Sequence, residues 1–407
     1  DFRLRRNTAG GGCATIILDA DVTISQRMLR VQAPMIPLVG EMVKRNPGTI
    51  SLGQGVVHYG PPSSVARAVA EAASNSRVHR YGLAFGIEPL LERVRSKLEA
   101  ENGIRVGHDR RIAVTAGSNM GFQTAVLAIA DPGDQIILLS PFYFNHEMAI
   151  DIASCKTVAV PTNENYQPDV NAIASAITSR TRAVVTISPN NPTGAVYPES
   201  ALRQINALCR DRGIYHIHDE AYEYFTYGAT PHFSPASLPG SEPHTISLFS
   251  LSKNYGMAGW RIGYMVIPAH LEEAIKKIQD TNLICPPMIN QFAAVAALDA
   301  GRAWCEPRVQ GIAAVRKRVL GKLRTLGERV RIPEPGGAFY VLARIHSERR
   351  DMDLVEALIR DFRVAVMPGS TFGIQDGCCL RIAYAALEEQ TVAEGIGRLV
   401  RGLHALI

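Results

Sequence analysis

Short apolar runs alternate with amphipathic segments through the middle of the chain. Each run has a length typical of a buried strand, and the pattern predicts strands at residues 112–115, 135–139, 182–188, 214–218, 245–250 and 262–267. Apolar residues recur at helical spacing in the segments 64–75, 88–102 and 199–212. This alternation predicts an α/β fold with a mostly parallel sheet and helices on both faces. Ligands of such sheets bind at the carboxyl ends of the strands.

The pattern changes after about residue 300. A long helix near 303–326 is followed by short strands near 338–343, 364–366 and 379–383, with helices between and after them. This order predicts a smaller α+β domain. We expect four parts: a leader or N-terminal arm (1–27), a contribution to the small domain (28–55), a large domain (56–300) and the small C-terminal domain (301–407).

Composition and charge narrow the class of protein. The chain has 407 residues, of which 46% are hydrophobic and 20% charged, as in ordinary globular proteins. The net charge of +5 is spread without a basic run, which argues against nucleic acid as a partner. No apolar stretch approaches the roughly 20 residues of a membrane span. Seven scattered cysteines without metal-ligand spacing indicate free thiols in a reducing, cytoplasmic compartment and no metal site.

Lys253 is the most informative residue. It follows two serines in Ser250-Leu251-Ser252-Lys253, and Arg261 lies eight residues further on. The amine can form a Schiff base with a carbonyl, while the hydroxyls and the guanidinium can hold a phosphate. Pyridoxal phosphate is the cofactor that combines an aldehyde and a phosphate. A lone lysine is usually a solvated surface residue, but the two serines and the arginine argue against that interpretation.

Polar residues that suit such a cofactor stand at other predicted strand ends. Asp219 could hold the pyridine nitrogen protonated, although a helix cap is an alternative. Asn191 and Tyr222 could donate to the ring oxygen, although Asn191 lies in a run that also suits a plain turn.

Three further segments complete this hypothesis. Gly117, Ser118 and Asn119 join a strand to a helix, where backbone N–H groups attract phosphate. Tyr143 could stack on the cofactor ring, with core packing as the alternative. Arg381 interrupts an apolar strand, so it either forms a structural salt bridge or binds a carboxylate in bidentate fashion.

Taken together, these motifs resemble the class I/II aminotransferases, the fold-type I enzymes that depend on pyridoxal phosphate. The resemblance covers roughly residues 28 to 405, and the order and spacing of the motifs make it specific. The motifs are Leu52-Gly53-Gln54-Gly55, residues 81–86, residues 115–119, Asn191-Pro192-Thr193-Gly194, residues 219–222, residues 250–253 with Arg261, and Arg381.

The resemblance implies a role for each motif. Lys253 looks like the Schiff-base lysine and the base that moves the substrate proton, and Asp219 looks like the pyridinium partner, with His146 beside it. Gly55, Asn191 and Arg381 look like contacts of the substrate carboxylate. Tyr81 resembles a tyrosine that reaches the phosphate of the neighbouring subunit, which implies a homodimer with shared sites. The remaining implied cofactor contacts are Gly117, Ser118, Asn119, Tyr143, Asn191, Tyr222, Ser250, Ser252 and Arg261.

The implied activity is ping-pong transfer of an amino group from an L-amino acid to a 2-oxo acid. Relatives specific for aspartate carry a second arginine where Asp280 stands here, so we expect a neutral or aromatic donor. His58 and Tyr59 are expected to line the side-chain pocket. Two alternatives remain open: a lyase that catalyses β-elimination on the same fold, and a regulator that binds the cofactor without catalysis.

Overall fold

The computed structural model describes residues 24–407, and the larger part of the predicted leader lies outside these residues. The strands are β1 (Ile50–Ser51), β2 (Arg110–Thr115), β3 (Gln135–Ser140), β4 (Lys156–Pro161), β5 (Thr181–Ile187), β6 (Tyr215–Asp219), β7 (Thr245–Ser250), β8 (Gly263–Pro268), β9 (Val330–Arg331), β10 (Tyr340–Ile345), β11 (Val364–Ala365), β12 (Met367–Pro368) and β13 (Cys378–Ala383). The helices are α1 (Gln26–Arg30), α2 (Met35–Arg45), α3 (Ser63–Ala73), α4 (Glu88–Asn102), α5 (Ser118–Ile129), α6 (Phe144–Ile152), α7 (Val170–Ala176), α8 (Glu199–Arg212), α9 (Leu251–Asn254), α10 (Glu272–Asn282), α11 (Met288–Leu323), α12 (Asp351–Phe362) and α13 (Glu389–Leu406).

A seven-stranded sheet organises the larger part of the molecule. Its strand order is β2-β8-β7-β6-β5-β3-β4, and only β8 runs antiparallel to its neighbours. The predicted α/β fold with a mostly parallel sheet is therefore confirmed. Because six strands point the same way, the chain leaves β2, β5, β6 and β7 at one edge of the sheet. The segments that carry Gly117, Asn191, Asp219 and Lys253 all begin at that edge.

Apolar side chains bury both faces of this sheet, which explains the nearly unbroken apolar runs of its strands. Ile217 packs with residues of α5 and α6 on one face. Val184 packs with Leu202 and Cys209 of α8 on the other face. No helix among residues 24–407 is both long and apolar enough to cross a membrane.

Two smaller sheets share a separate core. Four antiparallel strands are ordered β12-β13-β10-β9, and β1 pairs with β11 in parallel. Val39 of α2 and Leu52 belong to the core of these sheets. By contrast, Arg27 of α1 donates a hydrogen bond to the carbonyl of Ile152 at the end of α6, 3.2 Å away. The division into domains itself stays a prediction.

Helix α11 passes through the predicted boundary between residues 300 and 301. Gly301 interrupts it with φ 65° and ψ −172°, so two helical stretches meet at a kink. The first stretch, which begins at Met288, was not predicted. Ala293, Ala294 and Ala297 are buried in this stretch. Exposed polar residues do not recur in it at a clear helical period, so the pattern of an amphipathic helix is missing.

Candidate active site

A cavity of about 210 Å³ opens at the carboxyl edge of the seven-stranded sheet and is closed on its far side by β10 and β13. Most of the predicted site residues line it, although they come from positions 55 to 381 of the chain. They are Gly55, Ser118, Asn119, Tyr143, Asn191, Asp219, Tyr222, Ser250, Ser252, Lys253, Arg261 and Arg381.

Lys253 lies in the short helix α9, directly after β7, and its Nζ donates a hydrogen bond to the carbonyl oxygen of Gly55. Burial and, to a smaller extent, the nearby positive charges of Arg261 and Arg381 together lower the pKa of Lys253 to about 8. A larger share of this amine is therefore neutral near pH 7 than in free lysine, as a nucleophile or base requires.

Asp219 ends β6 and is 5% exposed. Its Oδ1 accepts a hydrogen bond from the N–H of Ala221 at 3.0 Å. The residues that follow form a turn and not a helix, so Asp219 is not a helix cap. Its Oδ2 lies 3.2 Å from Nε2 of His146, as the resemblance implied. His146 is held by stacking on Phe122, with ring centroids 3.9 Å apart. One buried carboxylate thus lines the cavity from a fixed position, which suits a cationic ring nitrogen.

The residues Gly117, Ser118, Asn119, Ser250, Ser252 and Arg261 form one group, here called the anion cradle. Helix α5 begins in it at Ser118, so free backbone N–H groups and the positive end of the helix face the cavity. Gly117 has φ 83°, and a Cβ on it would overlap the guanidinium of Arg261. The close approach of a cation to a helix start suits a phosphate.

Tyr143 and Tyr222 bring their rings to the cavity from just beyond the carboxyl ends of β3 and β6. The hydroxyl of Tyr143 accepts a hydrogen bond from Nδ2 of Asn145 at 2.7 Å. The hydroxyl of Tyr222 lies 2.7 Å from that of Tyr340. Burial raises the pKa of Tyr222 well above its ordinary value, so this hydroxyl keeps its proton and can donate it in a hydrogen bond.

Arg381 is 1% exposed, yet no carboxylate among residues 24–407 lies within 4.0 Å of its guanidinium. Nη1 donates to Oδ1 of Asn191 at 3.0 Å, and Nη2 donates to the carbonyl of Gly53 at 2.7 Å. Its Nε has no partner in the described structure. The alternative of a structural salt bridge is therefore wrong. A buried cation with only neutral acceptors is suited to bind a carboxylate ligand.

Three predicted or suggested residues lie elsewhere. Tyr81 is 80% exposed and does not line the cavity of its own chain. Nδ1 of His58 lies 3.2 Å from the carbonyl of Ala385, and the hydroxyl of Tyr59 donates to the carbonyl of Lys253 at 3.1 Å. Neither side chain lines the cavity, because both are turned to backbone carbonyls, so the prediction that His58 and Tyr59 line the side-chain pocket is wrong.

Six residues that line the cavity were missed by the sequence analysis. Tyr340 begins the apolar strand β10, and its signal was a hydroxyl that requires a hydrogen-bond partner when buried. The others offered only ordinary core or loop patterns. The missed residues are Ile36, Gln54, Val56, Ile187, Ala221 and Tyr340.

The donor set of the cavity fits pyridoxal phosphate. Asp219 is available to a ring nitrogen, Lys253 to an aldehyde and the anion cradle to a phosphate. The buried and unpartnered Nε of Arg381 leaves a further site for the carboxylate of an amino acid.

Comparison with known proteins gives one family. The family model for aminotransferases of class I and II matches residues 47–399. An aromatic aminotransferase of Arabidopsis thaliana is 31% identical over 394 residues, which cover 94% of this chain and 97% of the relative. An aspartate aminotransferase of Pyrococcus abyssi is 32% identical over 359 residues, which cover 87% of this chain and 91% of the relative.

A solved structure agrees with this result. A mutant of the Thermus thermophilus aspartate aminotransferase superposes with a TM-score of 0.86 at 30% identity, covering 94% of this chain and 100% of that one. The named relatives are aminotransferases, and none of them supports the lyase alternative. The chain belongs to the class I and II aminotransferases, and it is a pyridoxal-phosphate-dependent enzyme that transfers amino groups.

Proposed function

We propose that Lys253 is the reactive amine of this aminotransferase and that an amino acid with a neutral or aromatic side chain is its donor. The observation that carries the proposal is the placement of Lys253, Asp219 and Arg381 around one cavity. When bound, pyridoxal phosphate supplies an aldehyde and an electron-withdrawing ring. In this proposal, Asp219 holds the ring nitrogen protonated, and Asn191 and Tyr222 donate to the ring oxygen.

Lys253 then has two functions in the proposal. Its lowered pKa favours the neutral amine, which can hold the cofactor and, once free, remove the proton from Cα of the substrate. Arg381 and Asn191 orient the substrate carboxylate, so that the Cα proton faces the amine. The same amine returns the proton, and the second half of the ping-pong cycle repeats these steps with a 2-oxo acid as acceptor.

The preference for a neutral or aromatic donor rests on the charges around the cavity. Four charged residues line it, and the proposal assigns Lys253, Asp219 and Arg261 to the cofactor and Arg381 to the α-carboxylate. This chain supplies no further cation for a second carboxylate at the lining, whereas Ile36 and Val56 add apolar surface. The aromatic aminotransferase of Arabidopsis is compatible with this choice, and the aspartate aminotransferase of Pyrococcus abyssi makes aspartate the competing donor to test.

A homodimer with shared sites and a cytoplasmic location belong to the same proposal. Tyr81 is exposed beside Leu83, which is 72% exposed, and Ile284, which is 41% exposed. An exposed apolar patch of this kind favours an interface. The six cysteines among residues 24–407 are free thiols, which favours a reducing compartment.

The test combines one variant with a donor screen. Lys253→Ala is expected to lose at least about 10⁴-fold in kcat/KM, together with the visible absorbance of the purified protein. Lys156→Ala, at an exposed lysine of β4, is the control and should keep both. A fully active Lys253→Ala protein would refute the role of this amine.

The donor screen uses the spectral change of the wild-type protein on a single half-reaction. Phenylalanine, tyrosine, methionine and aspartate are each added without an acceptor. The proposal expects faster conversion with the first three than with aspartate. Faster conversion with aspartate would overturn the substrate assignment and leave the assignment of Lys253 intact.

A further inference from the structure

Tyr340, one of the missed residues, contacts both halves of the site. It begins β10, its side chain is fully buried, and it lines the cavity. Its hydroxyl lies 2.7 Å from that of Tyr222, on the proposed cofactor side. Its ring lies against the guanidinium of Arg381, 4.7 Å from ring centroid to Cζ, on the proposed substrate side.

The ring of Tyr340 forms half of a clamp around Arg381. Phe372 lies against the guanidinium with its centroid 4.8 Å from Cζ. Since no carboxylate in the described structure pairs with Arg381, these two aromatic faces and two neutral acceptors are what stabilise its buried charge. The direction of the guanidinium therefore depends on Tyr340, because the ring limits rotation about the long side chain.

The hydroxyl of Tyr340 shares a hydrogen bond with that of Tyr222, and the donor in this bond decides where the other proton points. A phenol has one proton to donate, so of the two hydroxyls one donates and the other accepts. In the described structure the hydroxyl of Tyr222 is the hydrogen-bond partner of Tyr340. If Tyr340 donates, the proton of Tyr222 is free to point into the cavity, and the chain of two hydrogen bonds strengthens the second one.

Gly55 shows how closely this hydroxyl is packed. A Cβ on Gly55 would lie 2.6 Å from the hydroxyl oxygen of Tyr340. The carbonyl of the same glycine accepts the hydrogen bond from Lys253. The position of Tyr340 is thus fixed between the segment that holds the amine and the strand that carries the arginine.

We propose that Tyr340 is a positioning residue that clamps Arg381 through its ring and directs the proton of Tyr222 into the cavity through its hydroxyl. This inference rests on the proposed function, because it assigns Arg381 to the substrate carboxylate and Tyr222 to the ring oxygen of the cofactor. The ring and the hydroxyl of Tyr340 have separate functions in this proposal, so two substitutions can test them one at a time.

Tyr340→Phe keeps the ring and removes the hydroxyl. We expect kcat to fall about tenfold and KM for the amino acid to change less than about twofold. Tyr340→Leu also removes the aromatic face, and KM is then expected to rise about tenfold in addition.

A spectroscopic measurement tests the hydroxyl independently of turnover. A hydrogen bond donated to the ring oxygen stabilises the negative charge on it and so favours the deprotonated form of the bound group. Weaker donation by Tyr222 in Tyr340→Phe should therefore move the pH midpoint of the visible absorbance upward, by about half a unit. Tyr222→Phe should give a larger shift in the same direction, and adding Tyr340→Phe to it should give no further shift.

Tyr384→Phe is the matched control. Tyr384 is also fully buried, and it does not line the cavity. The control should keep the wild-type midpoint, kcat and KM. If Tyr340→Phe behaves like Tyr384→Phe while the wild-type protein is active and coloured, the inference about Tyr340 is overturned alone. A wild-type protein without cofactor absorbance would overturn the proposed function as well.

Discussion

At the scale of single residues, two cations with lowered pKa values define the chemistry of the cavity. Arg381 is buried and Lys253 is partly buried, and removal from water lowers the pKa of both. Burying these charges lowers the free energy of unfolding. Bound ligands compensate for that loss. Both residues therefore give predictions in which stability and function change in different directions.

Lys253 should make the stability of the cofactor-free protein depend on pH. Its pKa is lowered from 10.5 to about 8 by burial. Below pH 8 the folded chain bears the cost of a buried charge. Between the two pKa values only the unfolded chain binds the proton, so stability should rise with pH over this range, by about 3 kcal/mol.

Urea unfolding of wild type and Lys253→Met at several pH values measures this effect. At pH 7.5 the variant should be the more stable protein, and its advantage should disappear by pH 10.5. Lys277→Met removes a lysine whose side chain is 73% exposed and should leave the pH slope unchanged. An advantage that stays constant with pH would contradict the lowered pKa.

Arg381→Met is expected to cost function and not stability. It removes a buried charge that has no acidic partner in residues 24–407, so the free energy of unfolding should stay within about 1 kcal/mol of wild type. KM for the amino acid should rise about 100-fold, because charge-assisted hydrogen bonds to the carboxylate are lost. Arg344→Met, at an exposed position of the neighbouring strand β10, is the control. A large loss of stability with an unchanged KM would show a structural role.

At the scale of elements, helix α4 is tied to the turn after β6 by a buried ion pair. Nζ of Lys97 contacts the carboxylate of Glu223, and the two side chains are 7% and 5% exposed. Asn102 of the same helix donates to Glu223 at 2.9 Å. Since Glu223 directly follows Tyr222, this pair holds the segment that brings Tyr222 to the cavity.

Breaking this ion pair should be costly, and removing both partners should not. Lys97→Met leaves the Glu223 charge buried without its partner and should destabilise the protein by about 3 to 5 kcal/mol. The double variant Lys97→Met/Glu223→Leu should recover most of that loss in urea unfolding. Arg93→Met, on the same helix, breaks a half-exposed pair with Asp299 and should cost less than about 1 kcal/mol. Equal losses for Lys97→Met and Arg93→Met would contradict the argument.

The elements also show what sequence patterns could predict. Six strands of the large sheet are visible as apolar runs because both of their faces are buried. β4 was missed because it is an edge strand with several partly exposed residues, so its run is broken by Lys156 and Thr157. The antiparallel direction of β8 has no signal in its own residues, since direction is set by the chain path and not by side chains.

The same contrast applies to the site. Lys253, Asp219 and Asn191 stand directly after strands, where a polar residue at a parallel edge is informative. Tyr340 and Ile36 lie within apolar stretches that are distant in sequence from the strands of the large sheet, and only tertiary packing brings them to the cavity. Tyr59 was misassigned because proximity in sequence to Gly55 does not fix the direction of a side chain.

At the scale of the whole molecule, one exposed tyrosine bears on how subunits assemble. Tyr81 is 80% exposed in the single chain, and the backbone N–H of Gly82 donates to Sγ of Cys285 at 3.2 Å. This contact joins the segment of Tyr81 to the segment of Ile284, which is also exposed. The proposed homodimer would cover these exposed residues and give Tyr81 to the site of the partner subunit.

A mixed dimer tests whether Tyr81 acts in the partner's site. Lys253→Ala and Tyr81→Ala are each expected to have low activity when pure. If Tyr81 acts across the interface, each mixed dimer has one site with an intact lysine and an intact tyrosine. Unfolding and refolding the two variants together should then restore about a quarter of wild-type activity, since about half of the dimers are mixed. Activity that stays at the average of the two pure variants would place Tyr81 in its own chain's site, and sedimentation shows whether dimers are present.

The backbone conformation of Gly301 affects how the two cores are aligned. The stretch of α11 that follows it packs Ile312, Val319 and Leu323 into the core that also holds Tyr340. Residues 302–323 span about 33 Å, so a rotation of about 5° at the glycine displaces the far end by about 3 Å. A small rotation of the helix at Gly301 would thus displace β10 and β13 relative to the strand ends of the large sheet, which lie on the other side of the cavity. The relative placement of Lys253 and Arg381 would then depend on a backbone dihedral angle at a residue that does not line the cavity.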